Sequence, residues 1–200
     1  MFRSTRFRNS GNLQPRASSV GSVAFDALGG TFVNPFADFS ITSDVGIPFW
    51  GLGSNGKIVS RQTSISAQSS FVNANFIAAN CFAEVTMTTA QDAGLILRFQ
   101  DQNNFYVATI CDDSGSTPTT NIRLFKRVGG FGSLGSANLT WARGTLKTIR
   151  FTATGTALEV LVDGTSVIST TDSQFSSGKI GLRSSALQDD EFSTFRYGAL

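Results

Sequence analysis

Alternation of apolar and polar residues dominates the chain from residue 81 onward. In CFAEVTMTT, Ala83, Val85 and Met87 fall on one side, and Phe82, Glu84, Thr86 and Thr88 on the other. A period of two marks a strand whose two faces meet different surroundings. AGLILRFQ, FYVATIC, IRLFKRV, LKTIRFTAT, ALEVLVDG, TSVIST, GKIGLRSS and EFSTFRYGA read the same way. Turn chemistry separates these segments. Asp101 to Asn104 supply side chains that tolerate left-handed geometry and predict a four-residue hairpin loop, while Asp163-Gly164 predicts a two-residue turn. The glycine-rich stretch 129–135 reads as a loop. No segment has helical periodicity. The pattern predicts roughly eleven to thirteen strands in an all-β, two-sheet antiparallel jelly-roll sandwich.

The first part of the chain reads differently. Residues 1–22 lack periodicity, contain Pro15 and end in a Ser/Gly cluster, which predicts an extended arm; residues 23–200 form the sandwich domain. Residues 23–56 set Phe25, Phe32, Phe36, Phe39, Phe49 and Trp50 among Gly, Asn and Pro, as expected of an opening strand followed by long loops, with a short strand over residues 57–60. Eighteen Phe is a high count, and alternate Phe side chains are expected to fill the ~10 Å space between the sheets.

At 200 residues, one core is the default for an all-β chain. Hydrophobic residues make up 40% and charged residues 15%, so Ser, Thr, Asn, Gln and Gly must cover the surface. That balance suits an extracellular or virion setting. The formal net charge of +2 is too small to imply direct nucleic-acid binding. Its distribution says more: Arg3, Arg6, Arg8 and Arg16 precede the first acid, Asp26, and leave twelve bases against fourteen acids in the remainder. A short basic arm of this kind is expected to anchor on an acidic partner surface. No apolar run approaches the ~20 residues of a membrane span, and the basic start is not followed by the apolar core of a cleaved signal.

The chemistry available is restricted. With no histidine, the commonest general base and the commonest metal ligand are absent. Cys81 and Cys111 lie thirty residues apart without zinc spacing. Each adjoins a predicted strand, where a free thiol behaves as a small buried hydrophobe. The loop Asp112-Asp113-Ser114-Gly115-Ser116-Thr117 has the composition of a calcium-binding turn, but also of an ordinary one, and the ordinary reading is preferred. Gly129-Gly130-Phe131-Gly132 lacks the Lys and following helix of a nucleotide loop. No metal or cofactor is expected.

The succession GLILRFQDQNNFYVATI, IRLFKRVGG, LEVLVDG and GKIGLRS resembles a concanavalin A-like lectin/glucanase (laminin G-like) β-sandwich, of the kind found in tailed-bacteriophage structural proteins. The resemblance covers residues 25–197. It implies that Arg98, Asn104 and Tyr106 face a concave sheet and form a possible glycan site, and that Trp50 and Trp141 are structural. Enzymes of this class carry paired carboxylates on one strand face, whereas Glu84, Glu159 and Glu191 have no such partner two or four residues away. The expected protein is therefore non-enzymatic. The first reading is a capsid decoration or cement protein in a virion, anchored by Arg3, Arg6, Arg8 and Arg16 on a capsid or other virion protein, homo-oligomeric in a symmetric assembly. The alternative is an extracellular carbohydrate-binding module.

Overall fold

The computed structural model describes residues 21–23, 39–43, 49–52, 57–61, 69–88, 92–112, 120–139, 145–185 and 190–200. These form fifteen strands: β1 Gly21–Val23, β2 Phe39–Ser43, β3 Phe49–Leu52, β4 Ile58–Arg61, β5 Ser69–Asn73, β6 Cys81–Thr88, β7 Ala93–Asp101, β8 Asn104–Asp112, β9 Thr120–Val128, β10 Gly130–Leu139, β11 Lys147–Thr154, β12 Ala157–Val162, β13 Thr165–Thr171, β14 Lys179–Ser184 and β15 Asp190–Ala199. The count exceeds the expected one because short strands occur in the N-terminal part and a further strand in the glycine stretch. The basic arm residues, Trp141 and the loop after Asp112 lie outside the described residues.

Two antiparallel sheets result. The first runs β13-β12-β11-β6-β15-β4-β3, with β1 also on β15; the second runs β10-β9-β8-β7-β14-β5-β2. β15 divides one of its edges between two short partners, β4 at Asp190–Phe192 and β1 at Phe195–Tyr197.

Alternation explains the stacking. Val85 and Met87 of β6, Ile149 and Phe151 of β11, and Leu158 and Val160 of β12 point inward from the first sheet. They meet Leu95 and Leu97 of β7, Ala108 and Ile110 of β8, and Ile122 and Leu124 of β9 in one buried cluster. Each fully buried Leu, Ile or Phe contributes about 1.5–3 kcal/mol. Trp50 lies in this core as expected, its ring 5.3 Å from Phe71 and 5.7 Å from Phe192. Polar links cross between the sheets: Asn73 Nδ2 donates to the Tyr197 hydroxyl at 2.9 Å, and Ser184 Oγ to Asp190 Oδ2 at 2.8 Å. Cys81 is a free, buried thiol, and burial pushes its pKa up to about 11 against the partial opposing effect of Arg98.

Two expectations need correction. The glycine stretch is not a loop: Gly129, at φ 69°, makes a tight turn, and β10 then pairs along the whole of β9 with a bulge between Ser133 and Gly135. Glycines hid its period, although Phe131 and Leu134 take opposite faces across that bulge. Nor do the Phe residues all fill the space between the sheets. Phe99 and Phe105 join Val72, Ile96 and Val107 in a second cluster on the outer face of the second sheet, with Phe125 packed against it.

Candidate functional site

The outer face of the second sheet is where polar and aromatic side chains converge. On β8, Tyr106, Ala108 and Ile110 enter the core, so Phe105, Val107 and Thr109 project outward. On β9 the same logic turns Arg123, Phe125 and Arg127 outward, opposite Ile122 and Leu124. Phe131 reaches onto this face from the neighbouring edge strand, and Arg183 from β14. Asp92 and Ser185 close one end, at the start of β7 and the end of β14. Their backbones are tied by the Ser185 N–H, which donates to the Asp92 carbonyl at 2.9 Å, and the Ser185 hydroxyl donates to the same oxygen at 3.1 Å.

These residues border an open depression of about 170 Å³, with Val107, Thr109, Phe125 and Phe131 along it and Arg123, Arg183 and Asp92 as its charged groups. Phe131 is 45% exposed, yet its position is defined. Its ring stands edge-to-face on Phe105 at 6.3 Å and on Phe125 at 5.9 Å. The Arg127 guanidinium lies 5.0 Å from the Phe131 centroid and that of Arg183 5.3 Å, both within cation–π range. Arg183 is only 3% exposed, lies 5.2 Å from the Phe105 ring, and its Nη1 donates to Ser70 Oγ at 3.2 Å. Among the described residues, two buried side-chain polar atoms lack a hydrogen-bond partner: Asp92 Oδ1 and the Nε of Arg127, whose guanidinium is otherwise engaged. Both belong to this face. A buried acceptor left without a donor costs about 1–3 kcal/mol, a cost that a ligand hydroxyl at Asp92 would remove.

The three sequence-nominated residues do not converge here. Arg98 is 1% exposed and sits at a bulge with φ 51°. Its Nε and Nη2 donate to the Ala79 carbonyl at 2.9 and 2.7 Å, its Nη2 also to Gly155 O at 2.8 Å, and its Nη1 to Phe175 O at 2.8 Å. The guanidinium is spent on backbone carbonyls inside the fold, which removes Arg98 from any glycan surface. Tyr106 is fully buried; its hydroxyl donates to Asp172 Oδ1 at 2.6 Å and accepts the Phe175 N–H at 3.0 Å. Burial first, and then the hydrogen bond to Asp172, push its pKa up to about 12. Burial works to raise the Asp172 carboxyl, but hydrogen bonds from Lys126, at 2.6 Å, and Tyr106 hold it below the ordinary carboxylate value. Asn104 stays at the β7–β8 hairpin, where its Nδ2 bonds both oxygens of Asp101 at 3.0 Å.

The carboxylates of the first sheet point elsewhere. Glu84 pairs with Arg150 at 3.3 Å and Arg196 at 3.8 Å, and Glu191 with Lys57 at 2.7 Å. Among the described residues, no group of three His, Cys, Asp or Glu is placed to hold a metal ion. Sequence reasoning missed Asp92, Arg123, Phe131 and Arg183. One signal was present: the Arg-Phe-Arg alternation of β9 against its apolar partners.

Two stacked antiparallel sheets make the chain an all-β sandwich, the fold class expected from the sequence. No family model matches the sequence, and no curated protein matches it. Among solved structures, the chain is similar to the carbohydrate-binding module CBM66 from Bacillus subtilis, with a TM-score of 0.59 and 18% identity over 80% of this chain and 92% of that one. It is similar also to a Bacillus subtilis protein of unknown function with a galectin-like fold, with a TM-score of 0.66 and 9% identity over 92% and 97% of the two chains. The exoplasmic/lumenal domain of VIP36, in a form bound to Ca²⁺ and Man3GlcNAc, gives a TM-score of 0.57 and 10% identity over 82% of this chain and 83% of that one. At these identities the likeness is one of fold.

Proposed function

We propose that the chain is a non-catalytic carbohydrate-binding module that seats a sugar ring on the outer face of its second sheet. The observation that carries this is the orphaned carboxylate oxygen of Asp92 in an open depression that also holds an exposed aromatic ring and two guanidinium groups. In such a site, Phe131 packs on the C–H face of a pyranose, Asp92 accepts a hydroxyl proton and Arg123 donates to ring or hydroxyl oxygens. The similarity to CBM66 and VIP36 supports the reading at the level of fold class. The shell-decoration reading draws no comparable support, because Arg3, Arg6, Arg8 and Arg16 lie outside the described residues.

A glycan array probed with the wild-type chain, Phe131→Ala and a variant lacking residues 1–20 tests the proposal. The wild type binds a defined set of glycans, Phe131→Ala loses them, and the deletion keeps them, since the described residues bordering the depression lie between 92 and 185. Absence of binding across the array, or binding indifferent to Phe131→Ala, overturns it. Incorporation of the deleted chain into a virus particle is a separate readout: its loss would support arm anchoring, and its persistence would sink that idea.

A further inference from the structure

Resting on the carbohydrate reading, we infer that the ring seated in this depression is a 6-deoxyhexose, a neutral sugar with a methyl group where a common hexose carries a hydroxymethyl. At about 170 Å³ the depression falls below the roughly 300–1,000 Å³ of a pocket for a drug-sized ligand, so it is sized for one sugar ring. Its two ends differ. Ala93 pairs with Ile110 and Gly94 with Thr109, so Asp92 lies beyond Thr109 at one end, with Ser185 tied to its backbone. Val107, the next outward position of β8, stands opposite Phe125, and Phe131 meets Phe125 from β10. Outward positions on one strand repeat about every 7 Å, a separation that one pyranose spans between its C5 substituent and its far hydroxyls.

The two ends make opposite demands. Asp92 Oδ1 is buried without a donor and a carboxylate can only accept, so this end calls for a ligand hydroxyl. The guanidinium groups of Arg123 and Arg183 make no such call. Both have partners within the protein, and Arg183 is held by the Phe105 and Phe131 rings and by Ser70. At the other end Val107, Phe125 and Phe131 present carbon surface to the ligand. A hydroxyl lodged against it would give up water without a replacement hydrogen bond, whereas a methyl group gains by the same burial. The methyl must hang directly from the ring, because an acetamido methyl brings a carbonyl and an N–H to the same apolar end.

Titration calorimetry tests this with matched methyl glycosides that differ only at C6: L-fucose against L-galactose, L-rhamnose against L-mannose, D-fucose against D-galactose and D-quinovose against D-glucose. At least one deoxy member is expected to bind about tenfold or more tighter than its hydroxylated counterpart. Phe131→Ala should abolish that binding. Val107→Thr, which sets a hydroxyl at the apolar end, should cut the ratio about threefold or more; should that variant not fold, the wild-type pairs and Phe131→Ala still decide. Equal affinity in every pair, preference for the hydroxylated members, a deoxy preference that survives Phe131→Ala, or a ratio unmoved in folded Val107→Thr overturns the inference. Were none of these glycosides bound while other glycans bind through Phe131 on the array, this inference would fall and the carbohydrate reading would stand. Were nothing bound in either experiment, both would fall.

Discussion

The hydroxyl of Tyr106 and the guanidinium of Arg98 hold the backbone of one residue from both sides: Tyr106 accepts the N–H of Phe175 at 3.0 Å, and Arg98 donates to the C=O of the same residue at 2.8 Å. Tyr106 donates its own hydroxyl hydrogen bond to Asp172, which also accepts from the ammonium of Lys126 and from the N–H of Gln174 at 2.8 Å. The segment between β13 and β14 is thereby fastened to β7, β8 and β9. Two residues that looked like ligand groups in the sequence instead set the frame on whose outer side the depression lies.

Tyr106→Phe keeps the ring that packs edge-to-face on Phe175 at 5.0 Å but leaves the buried Phe175 N–H without its acceptor and takes one of the three donors from Asp172. The expected loss is about 2–3 kcal/mol in urea unfolding, with glycan affinity unchanged because Tyr106 faces the core. A loss below about 0.5 kcal/mol would show that the network is not stabilising.

Alkaline sensitivity follows from the same groups. Tyr106 rises from an ordinary 10.0 to about 12 and Cys81 from 9.0 to about 11 on folding. Both are raised, so the folded state holds these protons more tightly than the unfolded chain. The stabilisation from Cys81 is complete below pH 9 and is lost as pH climbs towards 11; that from Tyr106 is complete below pH 10 and is lost towards 12. Thermal unfolding midpoints should therefore fall continuously above pH 9, and Tyr106→Phe should flatten the upper part of the decline. A wild-type midpoint constant across this range would contradict the assignment.

Arg98→Met is expected to cost about 3–5 kcal/mol, since it strands three backbone carbonyls together. Arg98→Lys should recover little, because a single ammonium cannot reproduce the planar fork that reaches Ala79, Gly155 and Phe175 at once. The neighbouring backbone is equally constrained: a Cβ at Gly178 would lie 2.5 Å from the Arg98 carbonyl carbon, so Gly178→Ala should destabilise by a similar route. Denaturant unfolding of the three variants checks the series, and a loss under 1 kcal/mol for Arg98→Met would refute the clamp.

The architecture was legible where side chains alternate cleanly. β6 and β12 follow their period-two pattern, and Asp163-Gly164 turns as its residues imply, with φ of 49° and 81°. Alternation says that a strand has two faces, but not which neighbour each face meets. Arg98 shows this limit: nothing local reveals that a bulge carries it inward to carbonyls contributed by three distant segments. The depression was illegible for the same reason. Asp92 reads as a turn residue, Phe131 as part of a glycine loop and Arg183 as one polar position on a strand; only the β8-β7-β14 neighbourhood and the β9–β10 hairpin bring them onto one surface.

Asp92→Asn separates a binding role from a structural one. The carboxylate oxygen Oδ1 is buried without a donor, so in the free protein it is a net cost. An amide of the same size is neutral and is cheaper to desolvate. The backbone carbonyl of Asp92, which receives both bonds from Ser185, is untouched by the change. Stability should hold or rise by roughly 0.5–1 kcal/mol. A neutral amide oxygen accepts a hydroxyl hydrogen bond more weakly than a carboxylate does, so affinity for a glycan that the wild type binds on the array should fall several-fold. Thermal unfolding and calorimetry on the same preparation read both. Were Asp92 merely a structural residue, the substitution would lower the unfolding midpoint and leave the glycan affinity where it was.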